Sequence, residues 1–227
     1  MLPTGRLRAS PVSSAPLAPP WTTAVAVTAF LAGSLLTALV WHATRLDPVD
    51  AWVMGWQELA STRAGGLAAI VSATLKPMVL MTMVGGAVLG WLVKRRDLVV
   101  LALAALPITL AVEVLLKWLV HRQWEGDPAL LFPSGHVAMA TAAALTAVLA
   151  VRVAPVTARA RLVAPWLAGG FVLVIAVARL VETVHSLTDV LGGAATGLVV
   201  TLGTTLAITV CTGAGAAGRR STARWCR

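Results

Sequence analysis

Residues 98–120, LVVLALAALPITLAVEVLLKWLV, form the stretch that decides the fold. Its two charged residues, Glu113 and Lys117, both stand in its last third. A helix of about 20 apolar residues crosses the hydrocarbon core of a bilayer. Inside that core the backbone has no water to bond, so a single apolar segment must be helical. This stretch therefore predicts a transmembrane helix.

Five further apolar runs extend the pattern to both sides, at residues 22–40, 70–93, 136–153, 162–181 and 187–210. Charged residues make up 12% of the chain and the mean hydropathy is +0.85. Soluble domains carry about 25% charged residues. The sequence predicts an all-α integral membrane bundle of six transmembrane helices over residues 21–212. Residues 1–20 are predicted to be a disordered tail and residues 213–227 a basic tail.

The region before the second run is the least regular. Lys76 and Pro77 interrupt the run, and a proline here predicts a kink or a point where the chain meets the membrane interface. Residues 48–60 contain Trp52 and Trp56 and are predicted to be a short amphipathic segment at the membrane surface.

The basic residues divide unevenly between the two sides of the predicted bundle. Cytoplasmic loops are enriched in Lys and Arg, so the richer side is predicted to be cytoplasmic, with both termini inside. Twelve of the 18 basic residues lie there: Arg6, Arg8, Lys94, Arg95, Arg96, Arg152, Arg159, Arg161, Arg219, Arg220, Arg224 and Arg227. The same rule accounts for the net charge of +9. No basic stripe with interleaved aromatic residues suggests nucleic acid, and none is expected as a partner.

Ionisable and polar residues collect at the opposite, extracytoplasmic ends of the helices. Each could have a structural reason, such as a snorkelling lysine or a serine that caps a helix. Their common depth in separate segments instead favours a functional site in the cell membrane. They are Lys117 and Arg122, Pro133-Ser134-Gly135-His136, Arg179, and His185 with Asp189.

These residue types suit metal-free phosphoryl transfer. Cations compensate the charge of a phosphate, and Arg can bind its oxygens in pairs. The first N–H groups of a helix, here those of Gly135 and His136, form an anion site. His185 and Asp189 are four residues apart, so the carboxylate can orient the ring of an attacking histidine. His136 can protonate the leaving oxygen. Metal-binding motifs are absent, and no cofactor is expected.

These residues resemble the motifs of the type-2 phosphatidate phosphatase superfamily. The second block of that family, Pro-Ser-Gly-His, is intact at residues 133–136. The third is present as Arg179-x5-His185-x3-Asp189, with Ala178 in place of its serine. The first block, Lys-x6-Arg-Pro, retains Lys117 but has Trp124 and Glu125 at its end.

The resemblance implies a six-helix bundle and a covalent phosphohistidine intermediate. It implies His185 as nucleophile, Asp189 as its orienting partner and His136 as general acid. Lys117, Ser134, Gly135 and Arg179 would bind the substrate phosphate. Arg122 matches an extra arginine of many members and is predicted to replace the missing cation, with Trp124 as a wall that faces the lipid.

Two acidic residues accompany the predicted site. Glu113 precedes Lys117 by four residues and is expected to neutralise it. Glu182 is expected to be a solvated loop acid, with tuning of the site as the alternative.

Three functions remain open from the sequence. The first is a lipid phosphatase acting on a polyprenyl phosphate or diphosphate, phosphatidic acid, phosphatidylglycerol phosphate or a lipid-linked sugar phosphate. Among these the polyprenyl substrate is preferred, by analogy with carrier recycling on the outer face. The second is a phosphotransferase that passes the group to another lipid or alcohol. The third is a membrane protein that binds lipid phosphate but has lost catalysis.

Overall fold

The structure, a computed structural model, describes residues 16–41, 48–123 and 130–222, without the side chains of residue 59 and of residues 213–222. These ranges contain seven helices and no strand, which confirms the all-α prediction. The helices are α1 (Thr22–Val40), α2 (Pro48–Ala73), α3 (Leu75–Leu92), α4 (Arg96–Val120), α5 (Gly135–Val153), α6 (Ala158–Val181) and α7 (Leu187–Thr222).

Six helical runs in the described ranges are long and apolar enough to cross a membrane. Helices α2 and α3 are separated by a single residue, Thr74, and together form one of these runs, Ala60–Leu92. The predicted count of six transmembrane segments is therefore confirmed, and the chain is a multi-pass membrane protein.

Helix α5 is the centre of the bundle. It packs against α3, α4, α6 and α7, and alanines at many positions let these neighbours approach closely. Small residues play this role in membrane bundles because packing, not hydrophobic burial, brings the helices together. As a result the first turn of α5, with Gly135 and His136, lies among the ends of several helices.

Glycines on one face of α7 bring that helix against the beginning of α5. A Cβ atom added at Gly193 would lie 2.4 Å from the carbonyl oxygen of Ser134, and one at Gly197 would lie 2.5 Å from that of Ala138. The backbone N–H of Ser134 also donates to the carbonyl oxygen of Asp189, at 2.9 Å. This close contact joins the Pro-Ser-Gly-His segment to the segment that carries His185 and Asp189.

The second helix is longer than the short amphipathic segment predicted at residues 48–60. It extends from Pro48 to Ala73 and packs against α6. Trp52 and Trp56 are exposed on it, with their rings in edge contact at 6.2 Å. The sequence did not predict its buried polar face, because the contacts of that face come from distant parts of the chain.

The interruption of the helix near Pro77 lies at Thr74, three residues before the proline itself. Pro77 is the third residue of α3, and a proline is tolerated in the first turn of a helix because no N–H is needed there. The membrane-length run Ala60–Leu92 is therefore interrupted close to Pro77, as the sequence predicts, and the proline lies in the first turn of the helix that follows the interruption.

The described residues extend into both predicted tails. Leu17 is buried and packs with Leu98, Leu101 and Leu149, so the packed domain includes residues before 21. Helix α7 continues to Thr222, past the predicted boundary at 212. The predicted disorder of residues 1–15 lies outside the described ranges.

Candidate active site

A cavity of about 500 Å³ opens where α3, α5 and α7 begin and where α4 and α6 end. Five of the eight predicted site residues line it: Lys117, Gly135, His136, Arg179 and His185. Its remaining lining residues are Leu75, Lys76, Val79, Leu110, Glu113 and Met139. The cavity thus combines two histidines and three cations with an apolar wall.

His185 precedes the first turn of α7 and faces Asp189 across that turn. Its Nδ1 lies 3.7 Å from Oδ2 of Asp189, slightly beyond hydrogen-bond distance. Nδ1 has no hydrogen-bond partner among the described residues. The amide Nε2 of Gln57 donates to the carbonyl oxygen of His185 at 3.1 Å and ties this segment to α2. The arrangement directs Nδ1 toward the carboxylate and leaves Nε2 as the nitrogen available to substrate.

Asp189 is fully buried behind His185. Its Oδ2 accepts from the backbone N–H of Ser186 at 2.9 Å, and its Oδ1 accepts from Nη1 of Arg122 at 2.7 Å. These bonds hold the carboxylate in one orientation. Asp189 does not line the cavity and reaches it only through His185.

Arg122 stands one layer deeper than predicted. It is 1% exposed, and it does not line the cavity. Its Nη1 donates to Asp189, and its Nη2 donates to Oδ2 of Asp50 at 2.8 Å. The predicted phosphate-binding role does not match these surroundings, because two buried carboxylates already hold both ends of the guanidinium.

The sequence did not identify Asp50 as part of the site. Its carboxylate is fully buried and accepts from Arg122 and from the backbone N–H of Thr188. Burial alone would raise the pKa of Asp50, but hydrogen bonds from Arg122 and Thr188 outweigh it and hold the pKa below its ordinary value. An acidic residue in an otherwise apolar segment was the signal that could have identified it.

Lys117 and Glu113 form an ion pair within α4, with Nζ 2.7 Å from Oε1. This confirms the expectation that Glu113 neutralises Lys117. A Cβ atom at Gly135 would lie 2.6 Å from Oε1 of Glu113, so the glycine of Pro-Ser-Gly-His provides the space for this carboxylate.

Arg179 and Glu182 form a second pair at the end of α6, in direct contact through Nη1 and Oε2. The hydroxyl of Ser72 also donates to Oε2 of Glu182, at 3.1 Å. The expectation of a solvated loop acid is wrong, since the Glu182 side chain is 13% exposed and holds two partners. It differs because α2 packs over this turn, which the sequence does not reveal.

Ser134 is the residue before α5, but its hydroxyl does not cap the helix. The hydroxyl oxygen is buried and has no hydrogen-bond partner among the described residues. Ser134 lies beside the cavity lining residue Gly135 without lining the cavity itself.

Lys76 lines the cavity from α3 and was not predicted to belong to the site. A lysine in the middle of an apolar run was the signal for it. Trp124, where the first sequence block departs from its pattern, lies outside the described residues.

The comparisons with known proteins agree with this architecture. The model of the PAP2 superfamily matches residues 22–212, and the chain belongs to this family. The structure is similar to a crystal structure described as the first transmembrane PAP2-type phosphatidylglycerolphosphate phosphatase from Bacillus subtilis. The TM-score is 0.63 and the identity 20%, over 79% of this chain and 93% of the other. The comparison with curated proteins gave no match. The fold is thus that of a PAP2 membrane phosphatase.

Proposed function

We propose that this protein is a lipid phosphate phosphatase that works through a phosphohistidine intermediate, without a metal, on the extracytoplasmic face of the membrane. The observation that carries the proposal is the convergence of His136, His185, Lys117 and Arg179 on one cavity. The apolar side chains of the same lining suit the lipid part of a substrate.

In the first step the lone pair of His185 Nε2 attacks phosphorus, and the bond to the leaving oxygen breaks. Protonated His136 gives its proton to that oxygen, which departs with the bonding pair. Lys117, Arg179 and the first N–H groups of α5 stabilise the charge on the phosphoryl oxygens. The product of this step is phosphohistidine at residue 185.

In the second step water attacks the phosphorus atom and passes a proton to His136. The N–P bond breaks, its electron pair returns to Nε2, and phosphate leaves. Asp189 acts on both steps by orienting Nδ1–H of His185, and Arg122 and Asp50 hold Asp189 in place. The hydroxyl of Ser134 has no partner among the described residues and lies next to the cavity-lining Gly135, so a small shift of this segment would bring it to a bound phosphate oxygen.

Among lipid phosphates we favour a polyprenyl phosphate or diphosphate, because carrier lipids are dephosphorylated on the outer face, which is where the distribution of basic residues predicts the site. This choice rests on analogy with carrier recycling. The decisive experiment is a screen of lipid phosphates with the purified protein in detergent, with and without chelator. Release of free phosphate supports a phosphatase, and transfer of the group to an added alcohol or lipid supports a phosphotransferase instead.

The first prediction concerns the nucleophile. His185→Ala should abolish phosphate release. Unmodified protein that is quenched during turnover at alkaline pH, where the acid-labile N–P bond survives, should contain phosphohistidine. Activity should persist in chelator. Full activity of His185→Ala, or strict dependence on an added divalent metal, contradicts the mechanism.

A further inference from the structure

Lys76 is the cavity cation that the proposed steps leave without a role. It is the second residue of α3 and lines the cavity together with His136, Lys117 and Arg179. Its side chain is exposed, so its ammonium group is accessible to a ligand without any rearrangement of the surrounding side chains.

The packing of α3 on α4 sets the depth of Lys76. A Cβ atom at Gly86 would meet Ala102 at 3.0 Å, and one at Gly90 would meet Val99 at 2.9 Å, so the two helices run antiparallel with these residues side by side. Ten residues back along α3 from Gly86 is Lys76, and about ten residues on from Ala102 is Glu113. Lys76 therefore lies near the depth of Glu113, which touches the first residue of α5.

The other two cavity cations already have a carboxylate. Lys117 is paired with Glu113, and Arg179 is paired with Glu182. Among the described residues no carboxylate lies within ion-pair distance of Lys76.

The position of α3 puts Lys76 on the side of His136. Helix α3 packs against α4 and α5, and His136 stands in the first turn of α5, whereas His185 leads into α7. In a phosphoryl transfer the leaving oxygen lies roughly opposite the nucleophile. With His185 as nucleophile, the leaving group therefore lies toward His136 and Lys76. Leu75 and Val79, neighbours of Lys76 on α3, line the same wall and suit the lipid chain of that leaving group.

We propose that Lys76 binds the leaving group and favours substrates whose leaving group is itself a phosphate, that is, lipid diphosphates. The inference rests on the proposed phosphatase function. With a diphosphate, His185 attacks the terminal phosphorus and the bond to the bridging oxygen breaks. The bridging oxygen keeps the electron pair and leaves as part of a lipid monophosphate. Lys76 retains its proton and stabilises the charge on that phosphate, and water then releases the transferred phosphoryl as free phosphate.

The test compares two substrates that share one chain, a C15 prenyl diphosphate and the C15 prenyl monophosphate. The full-length protein in detergent is assayed as Lys76→Gln and Lys76→Arg, with Arg63→Gln as a control that removes an exposed charge from α2. Lys76→Gln should lower kcat/KM for the diphosphate about tenfold or more, the scale of losing one hydrogen bond to a charged group. The monophosphate should lose much less, Lys76→Arg should recover most of the diphosphate activity, and Arg63→Gln should change neither.

Equal losses for both substrates in Lys76→Gln would overturn the inference, because Lys76 would then act on the transferred phosphoryl group or on the fold. Unchanged activity on both would also overturn it and leave Lys76 as an interfacial lysine. Failure of the unmodified protein to release phosphate from any lipid phosphate would instead contradict the proposed function itself.

Discussion

A buried ion-pair network lies behind His185 and consists of Asp50, Arg122 and Asp189. The guanidinium lies between two carboxylates, at 2.8 Å and 2.7 Å. Removing one member of such a group is costly, because the remaining charge stays buried without compensation. These residues support the site through Asp189 and make no contact with the cavity.

This buried ion-pair network leads to a prediction about the free energy of unfolding. Arg122→Ala should lower the free energy of unfolding by about 3–5 kcal/mol, because it leaves two buried carboxylates. Asp50→Asn should cost about 1–3 kcal/mol, because Asp189 still balances Arg122. Asp97→Asn is the matched control, since its pair with Arg95 is partly exposed, and it should cost about 1 kcal/mol or less. Denaturant unfolding in detergent measures all three, and an Arg122→Ala protein as stable as the control variant contradicts the assignment.

The lowered pKa of Asp50 adds a pH dependence to this comparison. A carboxyl whose pKa is lower in the folded state stabilises the fold above its unfolded pKa of about 3.9. That contribution is lost as the pH falls through the folded pKa. The stability difference between the unmodified protein and Asp50→Asn should therefore be constant near neutral pH and shrink in acid. A difference that grows in acid would contradict the sign of the shift.

The contribution of His136 to catalysis should increase as the leaving group becomes poorer. A general acid helps most when the departing oxygen is a strong base, and such catalysis contributes about 10²–10⁴-fold. His136→Ala should thus reduce turnover of alkyl phosphates strongly and turnover of nitrophenyl phosphate weakly. Steady-state rates over a series of leaving groups measure this. A uniform loss across the series would show that His136 only binds phosphate.

The sequence predicted the residues of the cavity better than the residues behind it. Ionisable groups at the ends of membrane-spanning runs are energetically costly and therefore indicate a function. This made four cavity residues identifiable from the sequence: His136, His185, Lys117 and Arg179. Arg122 was predicted at the phosphate because its partner Asp50 is 72 residues away, and nothing in the sequence connects the two residues. Long-range ion pairs of this kind depend on how α2 packs, which periodicity and spacing do not encode.

At the scale of elements, the contact of α7 with the Pro-Ser-Gly-His segment determines the relative positions of the two histidines. Gly193→Ala would force a Cβ atom to within 2.4 Å of the Ser134 carbonyl oxygen, so the backbone must shift. We expect a loss of roughly 1–3 kcal/mol in stability and a marked loss of activity. Gly203→Ala is a control on the same helix, because a Cβ atom there meets nothing within 4 Å.

The same helix offers a direct comparison of the two glycines. Gly203→Ala should be neutral or slightly stabilising, since alanine is the better helix former. Thermal unfolding and phosphate release, measured on both variants, separate packing from helix propensity. Equal behaviour of the two variants would mean that the close approach of α7 to Ser134 is not required.

Helices themselves were predicted well and their ends less so. An apolar run of membrane length identifies a transmembrane helix because crossing the hydrocarbon core requires about 20 apolar residues in helical form. All six predicted helices of this kind are present among the described residues. The length of α2 was underestimated because its inner face is polar at Asp50, Gln57 and Ser72. Polar residues that face a site interrupt the apolar pattern of a helix, so the first part of α2 was not recognised as continuous with the membrane-spanning run.

For the whole molecule, the distribution of basic residues predicts the orientation in the membrane. Single cysteines at Gln123 and Val156, in a protein lacking Cys211 and Cys226, would report the two ends of the bundle. A membrane-impermeant thiol reagent should label position 123 in intact cells and position 156 only after lysis. The reverse pattern would move the cavity to the cytoplasmic side and contradict the outward-facing proposal.

Two cations of the cavity are paired with carboxylates of the protein itself: Lys117 with Glu113, and Arg179 with Glu182. Before a phosphate binds, each of these cations is occupied by a carboxylate of the protein itself. Under the proposed function, an incoming phosphate competes with those carboxylates for the two cations, which lowers its affinity and leaves a tethered competitor beside each cation. When free phosphate forms, the same carboxylates can return to their cations and expel it. Weak retention of the product, and with it sustained turnover in a phosphate-rich medium, would follow from this arrangement.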